Sequence, residues 1–166
     1  MSHQNPSPTA PVAIGRIDSP VGRIEFTGNG RAVTTLSIEK DGHLPLEAAP
    51  ERLDRVLQRA ARQLGAYFAG SRKAFTVPLE ARGTPFQHAI WDQLSALGWG
   101  EVTTYGELGR NIGRTSAGRA VGGAIGANPL PILVPCHRVL GTDGGVTGYS
   151  RGNGIPTKLW LLEHEG

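Results

Sequence analysis

Thr104-Tyr105-Gly106-Glu107-Leu108-Gly109-Arg110-Asn111-Ile112-Gly113, continued by Arg114-Thr115-Ser116-Ala117-Gly118-Arg119-Ala120-Val121-Gly122-Gly123-Ala124-Ile125-Gly126-Ala127, contains two helix starts and one helix stop. Thr104 followed three residues later by Glu107 predicts a capping box, in which each residue satisfies a free amide of the other. The helix it opens runs through Ile112 and ends at Gly113. Thr115 or Ser116 then caps a second helix over 117–127. Two short helices joined by a glycine-containing turn predict a helix-turn-helix, with the second helix as the reader. That helix is rich in glycine, each costing up to about 1 kcal/mol against alanine. Glycine at this density suits a body approaching the helix backbone closely, a DNA duplex among them. Tight packing between helices would use small residues equally well.

On the N-terminal side of this stretch, Thr84-Pro85-Phe86-Gln87 combines an N-cap, proline at the first helical position and glutamine to close a capping box. Phe86, Ile90, Trp91, Leu94 and Leu97 mark its buried stripe as far as Gly98. Residues 80–83 read as a linker, preceded by a short strand over 74–79. An amphipathic helix is predicted from Pro50 to Phe68, with Arg52, Arg55, Arg59 and Arg62 on its polar side and Gly70 as its stop. Those arginines read as an ordinary solvated face or a second patch for nucleic acid. Residues 12–38 alternate in the manner of three strands separated by Pro/Gly and Gly-Asn-Gly turns. The chain is therefore expected to be α+β. A tail over 1–11 is read as disordered. A small sheet-and-helix domain follows over 12–83, and a helical domain over 84–166.

On the C-terminal side lies Pro135-Cys136-His137-Arg138-Val139, with the only cysteine of the 166 residues. A lone thiol forms no internal disulfide and no cysteine-rich zinc site. It is either a small buried residue or a nucleophile. Proline holds the turn stiff, and the positive charge of His137 and Arg138 is expected to lower the thiol pKa from its free value of about 8.5. A thiolate also needs a base. His137 is adjacent, and an orienting carboxylate could be Glu107, Asp143, Glu163 or Glu165. Residues 139–141 and 146–149 are expected to form a hairpin or wing. Residues 150–155 read as a loop and 156–165 as a last helix with Leu159, Trp160 and Leu162 apolar.

The net charge is only +3, but no Asp or Glu occurs between Glu107 and Asp143, where Arg110, Arg114, Arg119 and Arg138 lie. A basic surface there suits a polyanion. No signal peptide or membrane segment is read, and a single cysteine suits the reducing cytosol. The expected location is cytoplasmic.

Several ordered segments resemble the O6-alkylguanine-DNA alkyltransferases, also called methylated-DNA–protein-cysteine methyltransferases. They are 135–139, Val121-Gly122-Gly123-Ala124, Asn128-Pro129, Pro131-Ile132, Tyr149-Ser150 and Trp160-Leu161-Leu162-Glu163-His164-Glu165. Asp18-Ser19-Pro20-Val21-Gly22 resembles the family's N-terminal domain more weakly. The resemblance implies a ribonuclease-H-like N-terminal domain and a winged-helix-type C-terminal domain. It implies double-stranded DNA carrying O6-alkylguanine as partner, with O4-alkylthymine as a candidate secondary substrate. The damaged base is flipped out of the stack at a cost of a few kcal/mol. By the same resemblance Arg119 fills the gap, Tyr105 helps rotate the nucleotide and Asn128 braces the turn before the cysteine. Ala120 and Gly123 lie with Arg119 on the DNA-binding helix. Cys136 takes the alkyl group once and irreversibly, His137 takes the thiol proton through a water, and Glu165 orients His137. The backbone of Val139 and Ser150 holds the guanine edge, with Tyr149 as pocket wall.

The resemblance calls for no cofactor and no membrane. A monomer is expected, with cooperativity along DNA left open. The zinc site of some relatives is not expected, because His3, His43 and His88 have no cysteine partners. Arg151 stands where the family usually has a small residue, in a loop a residue or two longer than usual, which bears on the pocket's shape. A lesion sensor without chemistry, a sequence-specific regulator and a turning-over cysteine hydrolase are the rival readings.

Overall fold

The computed structural model describes residues 13–114 and 118–166. The expected tail over 1–11 and the helix cap at Thr115 or Ser116 lie outside the described residues. The chain is α+β. Strands β1 (Ala13–Ile17), β2 (Ile24–Gly28) and β3 (Val33–Ile38) form an antiparallel sheet in the order β1-β2-β3. Helix α1 (Arg55–Phe68) packs on that sheet through Leu57, Ala60, Leu64 and Tyr67. Its start is five residues later than the apolar pattern predicts. The backbone of Arg52 pairs with Ile14 on both its amide and its carbonyl, extending the sheet edge, and Asp54 caps the helix by accepting from the Leu57 amide at 2.8 Å. Arg55, Arg59 and Arg62 are exposed along α1.

No regular strand forms over 74–79. Pro78 lacks an amide, so the segment meets the sheet only where Val33 donates to the Pro78 carbonyl and Glu80 donates to the Val33 carbonyl. Gln63 on α1 holds the stretch instead, accepting from the Thr76 and Val77 amides.

Helix α2 (Pro85–Ser95) has the full reciprocal capping box between Thr84 and Gln87. A two-residue strand β4 (Thr103–Thr104) leads into α3 (Tyr105–Asn111). Only half of the second capping box is made. Thr104 accepts from the Glu107 amide, but the Glu107 carboxylate takes the Thr103 hydroxyl at 3.2 Å. Gly113, at φ +73°, turns the chain toward α4 (Gly118–Gly126). The α3 and α4 helices pack on each other, and α4 packs on α2 with Trp91 Nε1 donating to the Ala124 carbonyl at 2.8 Å.

The close approach within this unit falls at Gly109, where an added Cβ would lie 2.7 Å from the Arg114 carbonyl. A Cβ at Gly118, Gly122, Gly123 or Gly126 would meet nothing within 4 Å among the described residues. Internal packing therefore accounts for Gly109 and leaves the α4 glycines facing open space.

After α4 a 3-10 turn (Cys136–Arg138) leads into β5 (Val139–Leu140). The expected hairpin does not form. β5 pairs in parallel with β4, Thr103 opposite Val139 and Thr104 opposite Leu140, while 141–145 is a turn closed by Gly141 donating to the Gly145 carbonyl. Helix α5 (Ile155–Glu165) closes the fold. Its buried stripe is Thr157, Lys158, Leu161 and Glu165, whereas Leu159 is exposed. Of the apolar residues named from the sequence, Trp160 and Leu162 are half-buried, with Trp160 packed against the core, and two of the four fully buried positions are charged instead. Among the described residues no helix is long and apolar enough to cross a membrane.

The two halves share one hydrophobic cluster. The Leu36 amide on β3 donates to the Pro129 carbonyl at 2.8 Å, tying the sheet edge to the segment before the cysteine.

Candidate active site

Asn128 organises the approach to Cys136. Its amide nitrogen donates to the Val134 carbonyl at 2.9 Å, and its oxygen accepts from the Leu130 amide at 2.9 Å. These bonds hold a tight loop in which Ile132, a β-branched residue, sits at φ +74°. The Cys136 amide then donates to the Val134 carbonyl, and the thiol is buried at the start of the 3-10 turn.

His137 is completely buried. Its Nε2 lies 2.8 Å from Glu165 Oε2, so Nε2 carries the proton and Nδ1 is left with a free lone pair. Nδ1 has no protein partner. Of the four carboxylates considered from the sequence, the structure brings Glu165 to the ring. Arg138 grips the same carboxylate from its other side, Nε to Oε1 at 2.7 Å and Nη2 to Oε2 at 3.0 Å, and Nη1 donates to the Leu97 carbonyl at 2.8 Å. The Tyr67 hydroxyl on α1 donates to Oε2 at 2.6 Å.

Arg138 is therefore not on a basic surface and does not act on the thiol, contrary to the expectation from its place beside Cys136. Its charge is spent on Glu165. Burial pushes the Cys136 thiol up, and the opposing effects are the positive charge of Arg151 and the nearness of the Asn128 amide and the Tyr149 hydroxyl. At rest the nucleophile is a thiol, and it needs a base. His137 is suited to that role. Burial pushes its titration below the usual value, against the pull of Glu165, so the ring is neutral and able to accept a proton. Burial would push the Glu165 carboxyl up, but hydrogen bonds from His137, Arg138 and Tyr67 together bring it down to about 2.

These shifts set the acid stability. The folded state resists protonating His137, whereas the unfolded chain takes that proton near pH 6.5. Stability should be full above about pH 6.5 and fall below it, because the unfolded chain then binds one more proton. A second loss should set in below about pH 4.3, the unfolded glutamate value, and continue toward pH 2 as Glu165 is protonated. Urea melts from pH 8 to pH 3 check this; a midpoint unchanged down to pH 4.5 would refute the His137 part.

The remaining sequence-derived residues fall into two groups. Val139 is buried on β5, and the Tyr149 hydroxyl, buried without a hydrogen-bond partner, sits near enough to the sulfur for each to feel the other's charge. Ser150 is exposed beside it. Arg119, Ala120 and Gly123 are exposed on α4, and Tyr105, at the start of α3, is half-buried against the core. The β4–β5 pairing is what brings the two groups together, since Thr104 lies opposite Leu140 and Tyr105 begins α3 next to the exit of the cysteine turn.

Two site residues are missing from the sequence-derived set, Tyr67 and Lys158. Tyr67 falls on the apolar side of the helix pattern over 50–68, although a buried phenol needs a partner for its hydroxyl. Lys158 is 1 % exposed and donates Nζ to the Val139 carbonyl at 2.6 Å, and its spacing from Leu161 and Glu165 was the available signal. Arg151 crosses to the end of α4, Nη2 donating to the Gly126 carbonyl at 2.8 Å and the Asn128 carbonyl at 2.6 Å. It satisfies carbonyls that a helix C-terminus leaves free. The extra loop residues also reach β3, with Gly152 packed against the Ile38 side chain. A cavity of about 470 Å³ lies between Ser150, Arg151, Pro131 and the β3 edge.

Fold and site together define a two-part α+β protein whose one thiol is backed by a buried histidine–carboxylate pair, beside a short helix pair with an open glycine-rich face. Known proteins share both parts. The 6-O-methylguanine DNA methyltransferase ribonuclease-like domain matches residues 12–81, and the DNA binding domain of the same name matches residues 85–166. A methylated-DNA–protein-cysteine methyltransferase of Methanosarcina acetivorans is 41% identical, over 90% of this chain and 95% of its own length. That of Mycobacterium tuberculosis is 43% identical, over 90% and 89%. The crystal structure of Mycobacterium tuberculosis OGT in complex with DNA superposes with a TM-score of 0.82 at 42% identity, covering 93% of each chain. The chain belongs to the methylated-DNA–protein-cysteine methyltransferase family.

Proposed function

We propose that this protein repairs alkylated DNA by direct reversal, moving the alkyl group of O6-alkylguanine in a duplex onto Cys136. The observation that carries the reading is the neutral, buried His137, fixed through Nε2 by Glu165 with Nδ1 left free beside the cysteine turn. In this scheme Nδ1 takes the thiol proton through a bridging water. The sulfur attacks the alkyl carbon, the C–S bond forms as the C–O6 bond breaks, and the electron pair leaves with guanine, which is protonated as it departs. The product thioether has no route back to a thiol, so each protein acts once. A displacement of this kind calls for no metal and no organic cofactor.

Tyr105, Arg119, Ala120 and Gly123 form the DNA face in this reading. The α4 glycines that no internal contact requires let the duplex close on the helix backbone. Arg119 fills the space of the flipped base, Asn128 braces the loop, and Val139, Tyr149 and Ser150 line the base pocket. Residues 12–83 carry the sheet part and 84–166 the DNA-binding and transfer part. The protein works in the cytoplasm as a monomer on double-stranded DNA, and O4-alkylthymine is a second candidate substrate.

The test is the intact mass of the protein after incubation with a duplex carrying one O6-methylguanine, followed by peptide mapping. One added methylene on Cys136, saturating at one per protein, is the expected result. Lesion-selective binding with no mass change would indicate a damage sensor instead, and repeated turnover would indicate another enzyme. Arg119→Ala should slow repair in duplex DNA by at least about tenfold while changing reaction with free O6-benzylguanine much less, because only the duplex pays for unstacking. Equal losses on both would count against the finger role.

A further inference from the structure

Among the described residues, Glu165 receives one hydrogen bond from outside the C-terminal half, and it comes from Tyr67 on α1. The phenol reaches Oε2 at 2.6 Å, the oxygen that also faces His137 Nε2 at 2.8 Å and Arg138 Nη2 at 3.0 Å. Tyr67 is fixed at both ends to the last turn of α5. Its backbone carbonyl accepts from His164 Nε2 at 2.6 Å, one residue before the carboxylate that its side chain holds. The ring is 1 % exposed and packs edge-on against Trp99, Phe68 and His164. A phenol held this firmly is more than a filler. Packing alone would be met by phenylalanine, with no buried hydroxyl to satisfy.

The bond has a chemical consequence. A carboxylate oxygen that accepted from the imidazole alone would place its full charge on that bond and raise the ring's basicity to the greatest extent. Further donors on the same oxygen draw part of the charge away. Arg138 does this as a cation. Tyr67 does it as a neutral donor, and it also restrains the carboxylate from rotating out of line with Nε2. The other charged and titratable groups facing this cluster are Lys158 on α5, whose charge opposes protonation of His137, the Cys136 thiol, and His164, stacked on Trp160. Lys73 lies over the Trp99 ring, which packs against Tyr67.

We propose that Tyr67 is a positioning residue for alkyl transfer: through its hydrogen bond to Glu165 Oε2, the N-terminal half of the chain sets the orientation and basicity of His137 and so the readiness of Cys136 to lose its proton. The inference rests on the transfer reading above. It gives the N-terminal domain a part in the chemistry as well as in the scaffold.

The test is Tyr67→Phe, with two readouts. The first is the single-turnover rate of methyl transfer from an O6-methylguanine duplex as a function of pH. Its acid limb should move up by roughly one pH unit, because the freed carboxylate charge makes His137 a stronger base that is protonated earlier. The plateau rate should fall several-fold, with affinity for the duplex unchanged. The second readout is the imidazole Nε2–H resonance of His137 in DNA-free protein, which should move downfield as its bond to Glu165 strengthens. A purely structural tyrosine would lower the unfolding midpoint while leaving the acid limb and the resonance in place, and that outcome overturns the proposal. Should the phenylalanine variant fail to fold, a fluorinated tyrosine at position 67 keeps the ring and donates more strongly. Both readouts should then move in the opposite direction, and no movement again overturns the proposal. If the unmodified protein transfers no methyl group to Cys136, the proposed function falls. The resonance still decides whether Tyr67 governs His137.

Discussion

Cys136→Ser is expected to bind lesion-containing duplex as tightly as the unmodified protein and to transfer no detectable alkyl group. The two halves of that result have separate physical causes. Transfer needs a nucleophile that one buried imidazole can deprotonate. A free thiol titrates near 8.5, whereas an aliphatic alcohol titrates far higher and its oxygen is the poorer nucleophile toward carbon. The chain has no second cysteine to take over. In the proposed reading, binding rests on surfaces the substitution does not touch, the exposed face of α4 with Arg119, Ala120 and Gly123. The fold should accept serine readily, since the buried Tyr149 hydroxyl and the Asn128 amide lie near the position of the sulfur and can bond a hydroxyl there. Intact mass before and after incubation, with anisotropy on the same labelled duplex, measures both halves. Transfer by the serine variant would remove Cys136 from the chemistry, and loss of binding together with transfer would make the cysteine a structural residue.

The elements legible from the sequence were those that punctuation fixes locally. Thr84, Pro85 and Gln87 determine where α2 begins, because the cap satisfies amides that have no other partner. Gly113 marks the turn after α3 because the chain passes there at positive φ. Long-range pairing was not legible. β5 finds its partner in β4, a strand of two residues 36 positions earlier, and no local pattern distinguishes that pairing from a hairpin with 146–149. Buried charge is hard to recognise in a sequence. Arg138, Lys158 and Glu165 count as surface residues in any apolar pattern, yet they form the floor of the site. The choice of Glu165 over Glu163 illustrates the limit. Two residues along a helix turn a side chain by about 200°, so one of the two must face away from His137. Which one depends on how α5 docks, and the local spacing does not contain that; only the family resemblance pointed to Glu165.

The same buried charge carries the second large prediction. Arg138→Met should destabilise the fold by about 3–5 kcal/mol, since it leaves a buried carboxylate without its cation, while methionine roughly matches the volume of the lost stem. For a chain of this size that is a fall in unfolding temperature on the order of 10 °C. The Leu97 carbonyl loses its donor in the same step. Had Arg138 been a surface cation tuning the thiol, the expected pattern would be the reverse: little change in stability and a thiol that titrates higher. The effect on the thiol falls instead to Arg151, whose charge opposes the upward push of burial on Cys136. A double-mutant cycle separates the alternatives. Glu165→Gln removes the charge that Arg138 neutralises, so the pair Arg138→Met and Glu165→Gln should be clearly less destabilised than the sum of the two single changes, by more than the roughly 0.5 kcal/mol expected of independent sites. Urea melts of the four proteins measure the coupling. Additive losses would mean that Arg138 and Glu165 do not depend on each other, and His137 would then be held by less than the geometry of Oε1 and Oε2 implies.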